Sequence, residues 1–218
     1  MTKEIYLKNK RDEIAKYVST FKLHDVNFVG IDRSLTCTGI AIVNKGNLVY
    51  QAEVKVKEFD IERLIAISKE VIRHIKPYKN TVICMEGYSF GSKFSQAHSL
   101  GELGGTLKMV FKLKGIQYLE TEPTTLKKYI SGKGNRPKDL IPMDVFKKFG
   151  VEPLSGDRAD AIGCAFFIYN AFKYRNMNNA AFLQYEEEAF ETFFHGKAKK
   201  KKTSRKKKNE QLAADIQE

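Results

Sequence analysis

The chain has 218 residues and a mass of 24.9 kDa, a length that fits one domain with short appendages. Hydrophobic residues make up 42% of the chain, enough for a packed core, which excludes wholesale disorder. No apolar run approaches the roughly 18 residues of a membrane span, and the amino-terminal residues lack the apolar stretch of a secretory signal, so we expect an intracellular protein.

The net charge of +12 is unevenly distributed along the chain. Residues 197–208 hold nine basic residues and no acidic ones, whereas residues 209–218 hold three acidic residues and no basic ones. The 196 residues before this tail contain 29 basic and 23 acidic residues, a net charge of +6. A moderately basic body is compatible with a nucleic-acid partner but does not identify one.

The lysine-rich tail at 197–218 is predicted to be disordered, because its like charges repel and it has no apolar surface to bury. Such a run favours non-specific affinity for DNA. In a eukaryotic cell the same composition would also fit a nuclear localisation signal.

The first quarter of the chain predicts a helix followed by three strands. Residues 1–25 are polar with apolar positions at helical spacing, which indicates a helical extension outside the main sheet. An apolar run at 26–31 predicts the first strand, and 39–43 predicts the second. The turn signal at 44–47 leads into an alternating third strand at 48–56.

The middle of the chain alternates helices and strands. Apolar residues recur at intervals of three and four from 61 to 75, where Pro77 stops the helix, and again from 95 to 114. Short apolar runs at 81–85 and 116–119 predict the fourth and fifth strands.

The last third of the chain predicts helices only. Two short ones lie near 124–130 and 138–149, and a long apolar one runs from about 157 to 174. A further amphipathic helix at 180–194 carries a stripe of phenylalanines, which is typical of packing, either on this subunit or on a partner.

This order of elements predicts the fold class and the domain organisation. Three strands in a meander followed by strand–helix crossovers indicate an α/β fold, with a mixed five-stranded sheet flanked by helices. We divide the chain into a helical amino-terminal extension, a central domain, a carboxy-terminal amphipathic helix and a basic disordered tail, at residues 1–25, 26–175, 176–196 and 197–218.

Four acidic residues stand at positions that predict a shared site. Asp32 ends the first strand and Glu86 ends the fourth, so if these strands are adjacent and parallel their ends lie roughly 5 Å apart. Asp157 and Asp160 are three residues apart at the start of the long helix, which places them on one face. Taken singly, each acid is as readily a turn or helix-cap residue. Four converging carboxylates, however, require protonation or cations, and oxygen-only ligands suit Mg²⁺ or Mn²⁺.

Three motifs carry a resemblance to a known family. Residues 30–39, which read Gly-Ile-Asp-Arg-Ser-Leu-Thr-Cys-Thr-Gly, resemble the first catalytic motif of RuvC-type Holliday junction resolvases. Residues 84–88 resemble the second motif, and residues 157–161 the last. The ordered set spans roughly residues 27–172 and is most similar to phage-borne members. The resemblance implies an RNase H-like fold, a homodimer and paired nicks across a four-way DNA junction through two divalent metal ions.

The resemblance also assigns residues to roles. Asp32, Glu86, Asp157 and Asp160 take the acidic metal-binding places, where it implies two Mg²⁺ ions per active site, with Mn²⁺ as a substitute. Lys127 takes a basic place near the cleaved strand, and the resemblance implies that it supports the scissile phosphate.

The chain also departs from the family pattern at two places. Arg33-Ser34 follows the first Asp where the bacterial family usually has Pro-Gly, and Ser89 stands where an aromatic wedge is expected. Tyr88 and Phe90 flank Ser89 and are candidates for stacking on an unpaired base, although local packing would explain them equally.

Basic residues after the fifth strand predict contacts with DNA. The segment from 127 to 138 combines cations with glycines that let the backbone approach phosphates, although a solvated surface loop would look similar. The candidate DNA-binding residues are Tyr88, Phe90, Lys128, Lys133, Arg136 and Lys138. Gly101, Gly104 and Gly105 on the third predicted helix mark either a dimer seam or an intramolecular helix crossing.

We therefore predict a homodimeric, Mg²⁺-dependent endodeoxyribonuclease that resolves four-way or other branched DNA junctions, in the cytoplasm of a bacterial host if the protein is phage-borne. Three alternatives remain at the level of sequence. Another RNase H-like nuclease is one, although the hybrid-cleaving type places its Glu on a helix rather than after a strand. A sugar-kinase or actin-like nucleotide-binding domain is the second, although that fold needs two such domains. The third is a junction-binding protein without catalysis.

Overall fold

The computed structural model describes residues 1–87, 94–176 and 181–196. Its helices and strands, in chain order, are α1 (Lys3–Thr20), β1 (Asn27–Asp32), β2 (Thr38–Asn44), β3 (Asn47–Val54), α2 (Asp60–Ile75), β4 (Thr81–Glu86), α3 (Phe94–Leu113), β5 (Gln117–Thr121), α4 (Pro123–Ser131), α5 (Ile141–Phe149), α6 (Gly156–Asn176) and α7 (Gln184–His195). Among these described helices, none combines the length and the apolar character that a bilayer crossing requires.

The five strands form one mixed sheet in the order β3-β2-β1-β4-β5. β1 pairs antiparallel with β2, and β2 with β3, whereas β1–β4 and β4–β5 are parallel. Lys45 and Gly46 form the β2–β3 turn with φ of 53° and 79°, the two positive values that favour a tight hairpin. The predicted mixed five-stranded α/β sheet is confirmed.

Helices cover both faces of the sheet because the central strands are apolar on both sides. On one face, β1, β2 and β4 pack against α2 and α3. On the other face, alternate residues of the same strands pack against α6, which runs directly over β1 and β2, with α4, α5 and α7 around it. The central strands are therefore buried between two helical layers, so functional groups on these strands can reach solvent only at the strand ends.

Glycines allow the close approach of α6 to the sheet. A Cβ atom on Gly30 would lie 1.9 Å from the carbonyl oxygen of Ala161, and one on Gly39 would lie 2.2 Å from that of Asp157. Atoms cannot approach so closely, so α6 can rest on β1 and β2 only because these residues lack side chains. This packing sets the height of the first turns of α6 above the carboxyl end of β1.

The two extensions pack on the chain's own core. Ile14 and Val18 of α1 are fully buried there. The aromatic residues of α7 do the same, because Phe190 stacks near Tyr129 of α4 and Phe167 of α6 at centroid distances of 5.5 and 5.8 Å. The phenylalanine stripe therefore packs on this subunit, which decides between the two interpretations that the sequence allowed.

Several element boundaries differ from the sequence expectation, among them that of β3, which ends at Val54 rather than at 56. α7 begins at Gln184 rather than near 180, and β5 extends to Thr121. The helix expected from 138 begins at Ile141, after a 3₁₀ turn at Lys138–Leu140, because Pro142 in its first turn favours a helix start there.

Candidate active site

Three carboxylates converge at the carboxyl end of the parallel strands. The β1–β4 ladder ends with Ile31 opposite Met85, so the next residues, Asp32 and Glu86, stand side by side. Asp160, in the first turns of α6, approaches them from above the sheet. One carboxylate oxygen from each of Asp32, Glu86 and Asp160 lies within 4.8 Å of the others. The sequence prediction that these acids share a site agrees with this arrangement.

Burial makes it unfavourable for all three of these carboxyl groups to be ionised at once. Asp32 is 6% exposed and Asp160 4% exposed. Burial, together with the charge of Asp160, raises the pKa of Asp32 well above its usual value, and burial raises the pKa of Asp160. The pKa of Glu86 rises to about 7 through burial and the neighbouring Asp160. Divalent cations would relieve this repulsion, and the oxygen-only donor set fits Mg²⁺ or Mn²⁺.

Lys138 places a positive charge beside two of these carboxylates. Its Nζ lies 3.3 Å from Oδ2 of Asp160 and 3.9 Å from Oδ2 of Asp32. Burial alone would lower the pKa of Lys138, but the charges of Asp32 and Asp160 outweigh it and raise the pKa. The sequence predicted a DNA contact for Lys138, and the structure adds that its ammonium group neutralises the carboxylates.

Asp157 stands one turn before Asp160, outside the trio whose oxygens converge in the described residues. Burial, together with the neighbouring Asp157, raises the pKa of Cys37 to about 12. The negative charge of Asp157 adds to the forces that raise the pKa of Asp32 and Asp160. Asp157 therefore acts on the site electrostatically from the adjacent turn.

Lys127 faces the carboxylates from α4. Its Nζ donates to the Arg136 carbonyl oxygen at 3.0 Å, and its charge opposes the rise in the pKa of Glu86 and Asp160. The loop that follows α4 therefore folds back over this helix towards the site, which brings Lys138 to the carboxylates.

The other predicted DNA-binding residues have different surroundings. Arg136 makes a bidentate ion pair with Asp144, at 2.5 and 2.8 Å, and Lys128 is paired with Glu188 of α7. Lys133 is exposed. Tyr88 and Phe90 lie outside the described residues, as does the basic tail.

Arg33 and Glu120 are neighbours of the site to which sequence reasoning gave no role. The Arg33 side chain is only 5% exposed and pairs with Glu120 of β5 at 3.1 Å. The sequence signal was present, since an arginine directly follows Asp32 at a buried strand end, but its partner lies 87 residues away. Sequence spacing cannot reveal such a pair.

A second polar network ties the start of α6 to the edge strand β3. Oxygens of Glu53 lie 2.8 Å from Nζ of Lys55 and 3.5 Å from Nε of Arg158. Hydrogen bonds from Lys55 and Ser155 lower the pKa of Glu53 to about 2. Glu53 thus stays ionised and fixes the residues on both sides of Asp157.

Comparison with known proteins identifies the family. The family described as "Crossover junction endodeoxyribonuclease RuvC" matches residues 28–167. The chain is 25% identical to the RuvC endonuclease of Carboxydothermus hydrogenoformans over 152 residues, which cover 65% of this chain and 94% of that protein. It is 29% identical to the RuvC endonuclease of Hydrogenovibrio crunogenus over 143 residues, which cover 63% of this chain and 83% of that protein.

Solved structures show the same fold. Thermus thermophilus RuvC superposes with a TM-score of 0.57 at 22% identity, over 68% of this chain and 95% of that one. The same protein in complex with a Holliday junction substrate gives a TM-score of 0.58 at 20% identity, over 69% of this chain and 95% of that one. These matches confirm the RNase H-like architecture expected from the three motifs. The chain belongs to the RuvC family of crossover junction endodeoxyribonucleases.

Proposed function

We propose that this endonuclease resolves four-way DNA junctions by Mg²⁺-dependent hydrolysis of phosphodiester bonds at the cluster of Asp32, Glu86 and Asp160, with Asp157 beside it. The observation that carries the proposal is the convergence of three buried carboxylates within 4.8 Å of one another. Buried like charges are unfavourable for folding and are retained where they do chemical work. The Thermus thermophilus relative, which shares the fold, was solved on a Holliday junction substrate.

Asp32, Glu86, Asp160 and Asp157 would hold two divalent cations. When bound, such ions supply an activated water and stabilise the oxygens of the scissile phosphate. The chain itself supplies the ligand oxygens, which the strand ends and α6 fix in place. Because the pKa of Glu86 is about 7 without a cation, Glu86 holds a proton there at neutral pH for part of the time and loses it on cation binding.

Lys138 and Lys127 would contribute positive charge to the DNA phosphate. The Lys138 side chain is 63% exposed although its Nζ contacts Asp160, so it lies between the carboxylates and solvent. A cation that took over the carboxylates would leave the Lys138 ammonium group to pair with a phosphate. Lys127 on α4 adds a second positive charge that acts on Glu86 and Asp160.

The remaining residues predicted to contact DNA differ in whether an acidic side chain of the protein already holds them. Lys133 is exposed at the loop and is the most direct candidate for a backbone phosphate. Arg136 is held by Asp144, and Lys128 by Glu188, so we assign them first to shaping the loop and α4. Tyr88 and Phe90 follow Glu86 in the chain, and their proposed stacking on unpaired bases rests on sequence position.

We also propose that the enzyme acts as a homodimer, since a four-way junction has two strands to nick. The exposed face of α3 is suited to the contact, because Gly105, Met109 and Leu113 recur along it at helical spacing. Met109 is 57% exposed and Leu113 78% exposed, and within the part of the chain that the structure describes nothing lies within 4 Å of a Cβ placed on Gly105. Light scattering on the full chain tests this: twice 24.9 kDa is expected, and a monomer at all concentrations contradicts it.

The cleavage experiment compares a synthetic four-way junction with a three-way fork, a linear duplex and an RNA–DNA hybrid, each with and without Mg²⁺. We expect symmetric nicks in the four-way junction, fewer in the fork and none in the linear duplex. Preferred cleavage of the hybrid would favour another RNase H-like activity. Junction binding without any nick in Mg²⁺ or Mn²⁺ would favour an architectural role.

A further inference from the structure

We propose that Arg33 is a positioning residue that ties together the ends of β1, β4 and β5 and thereby sets the distance between Asp32 and Glu86. The inference rests on the proposed metal-binding role of these two acids. The Arg33 side chain would act on the site through the backbone of Glu86.

The contacts of Arg33 bridge three neighbouring strands. Arg33 directly follows Asp32 at the end of β1, and its Nη2 donates a hydrogen bond to the backbone carbonyl of Glu86 at the end of β4. Its Nη1 pairs with Oε1 of Glu120 on β5 at 3.1 Å. The planar guanidinium group suits this role, because its fixed fork of donors can serve two acceptors at once.

The bridge stands where the backbone ladder stops. The last β1–β4 pair is Ile31 with Met85, so Asp32 and Glu86 are the first neighbours without strand pairing between them. Across β4–β5, pairing continues to Glu86 and Thr121. The Arg33 side chain therefore connects β1 to Glu86 at the point where backbone hydrogen bonds no longer do so.

Burial excludes a direct role for Arg33 with the DNA phosphate. Only 5% of its side chain is exposed, against 63% for Lys138, which contacts the same cluster of acids. A guanidinium group so deeply enclosed cannot reach a phosphate without breaking its ion pair. Its charge is instead matched by Glu120, which is 28% exposed and lies 3.4 Å from Nζ of Lys108 on α3.

Loss of the bridge should loosen the metal ligands while the fold persists. The strands are held by their ladders and by the two helical layers, so removing Arg33 frees the end of β4 but not its centre. Groups that orient metal ligands typically change metal affinity about 10–100-fold when they are removed. We expect a loss of that size for Arg33→Gln.

The test is titration of the metal-free full chain with Mn²⁺, followed by calorimetry, for wild type, Arg33→Gln, Arg33→Lys and Glu120→Gln. Arg33→Gln should bind Mn²⁺ about 10–100-fold more weakly. Arg33→Lys should recover part of the affinity, because an ammonium group keeps the charge but not the fork. Lys148→Gln is the matched control, since it also removes a cation with little exposure, 13% of the side chain, that is held by a carboxylate. Lys148 lies on α5 and pairs with Glu186 of α7, so this variant should keep wild-type Mn²⁺ affinity.

The outcomes distinguish failure of the positioning role of Arg33 from failure of the proposed function. Mn²⁺ affinity in Arg33→Gln that equals wild type, or that falls no further than in Lys148→Gln, overturns the positioning role. If Arg33→Gln does not fold, Glu120→Gln decides in the same way, with weaker Mn²⁺ binding expected and unchanged binding contradicting the role. A wild-type protein that neither binds Mn²⁺ nor nicks junctions overturns the proposed function itself.

Discussion

At the scale of single residues, the site is a balance between buried negative charge and nearby cations. Burial raises the pKa values of Asp32, Glu86 and Asp160, the charge of Asp160 adds to the rise for the first two, and Lys138 partly offsets it. Such a cluster reduces the stability of the metal-free protein at neutral pH. The same cluster becomes favourable once cations supply the missing charge, so metal binding and stability should be coupled.

The first prediction concerns the pH dependence of stability. Glu86 has a pKa of about 7 in the folded protein against 4.5 for its ordinary value, while Asp160, Lys138, Lys127 and Arg33 act on it. Because the folded state holds this proton more tightly than the unfolded state, the contribution of Glu86 is fully present below pH 4.5 and is lost as pH rises through 7.

We expect the melting temperature of the metal-free protein to fall across this window, and added Mg²⁺ to reverse the fall at pH 7 to 8. Differential scanning fluorimetry at fixed ionic strength measures both. Glu86→Gln is the control, because it removes one titrating group and should make the profile shallower, while Asp32 and Asp160, whose pKa values are also raised, still titrate. A melting temperature that rises with pH in the wild type, or a profile unchanged by Glu86→Gln, would contradict the assignment.

The sequence predicted that four acids share a site, and the structure brings the carboxylates of three of them together, Asp32, Glu86 and Asp160. The sequence did not predict which ion pairs surround them. Asp32 and Glu86 could be predicted from the sequence because each ends a buried strand, and Asp160 because it stands at the start of an apolar helix. The contacts of Lys138 with Asp32 and of Arg33 with Glu120 could not be predicted in this way. The first depends on how the loop after α4 folds, and the second on which strands are neighbours in the sheet. Local patterns report which residues are buried, whereas ion-pair partners depend on tertiary packing.

At the scale of elements, the close packing of α6 on the sheet positions the acids. The backbones of β1 and β2 meet α6 without intervening side chains at Gly30 and Gly39. The sequence predicted these strands and this helix, and their order in the chain gave the mixed sheet. The sequence placed the start of α5 three residues before its observed start and the start of α7 four residues before, because helical ends depend on caps and on packing of the first turn.

The second prediction tests this packing. In Gly39→Ala the new Cβ would lie 2.2 Å from the carbonyl oxygen of Asp157, so the first turn of α6 must move. We expect a loss of about 3 kcal/mol in the free energy of unfolding, with weaker Mn²⁺ binding. Gly156→Ala is the matched control at the start of the same helix, because among the described residues nothing lies within 4 Å of its added Cβ. Denaturant titration that finds equal stabilities for the two variants would contradict the packing argument.

At the scale of the whole molecule, residues outside the family match enclose the aromatic core. α1 and α7 lie outside residues 28–167, yet both contribute fully buried side chains. They also contact each other, because Arg11 donates to the carbonyl oxygen of Phe194 at 3.4 Å. The sequence predicted both helices but could not decide whether α7 packs on its own subunit, since an apolar stripe does not show which surface it packs against.

The third prediction concerns the basic tail, which holds nine of the 38 basic residues. Truncation after Gly196 should reduce the salt dependence of junction binding, because each phosphate neutralised contributes about 0.9 to the slope of log affinity against log salt. We expect the slope to become shallower by at least about one unit while the nick positions stay the same. Fluorescence anisotropy between low and high salt measures it. An unchanged slope would show that the tail does not contact DNA.

The most direct test of the central claim, that the buried carboxylates form the metal site of a junction-cleaving enzyme, compares wild type with Asp32→Asn on a four-way junction. Binding is measured first without metal, and nicking is measured after Mg²⁺ is added to the same complexes. We expect Asp32→Asn to bind the junction as well as wild type and to nick it at least about 1,000-fold more slowly, because a lost ligand removes several kcal/mol of transition-state stabilisation. Nicking by Asp32→Asn at the wild-type rate would contradict the assignment of this cluster as the catalytic site.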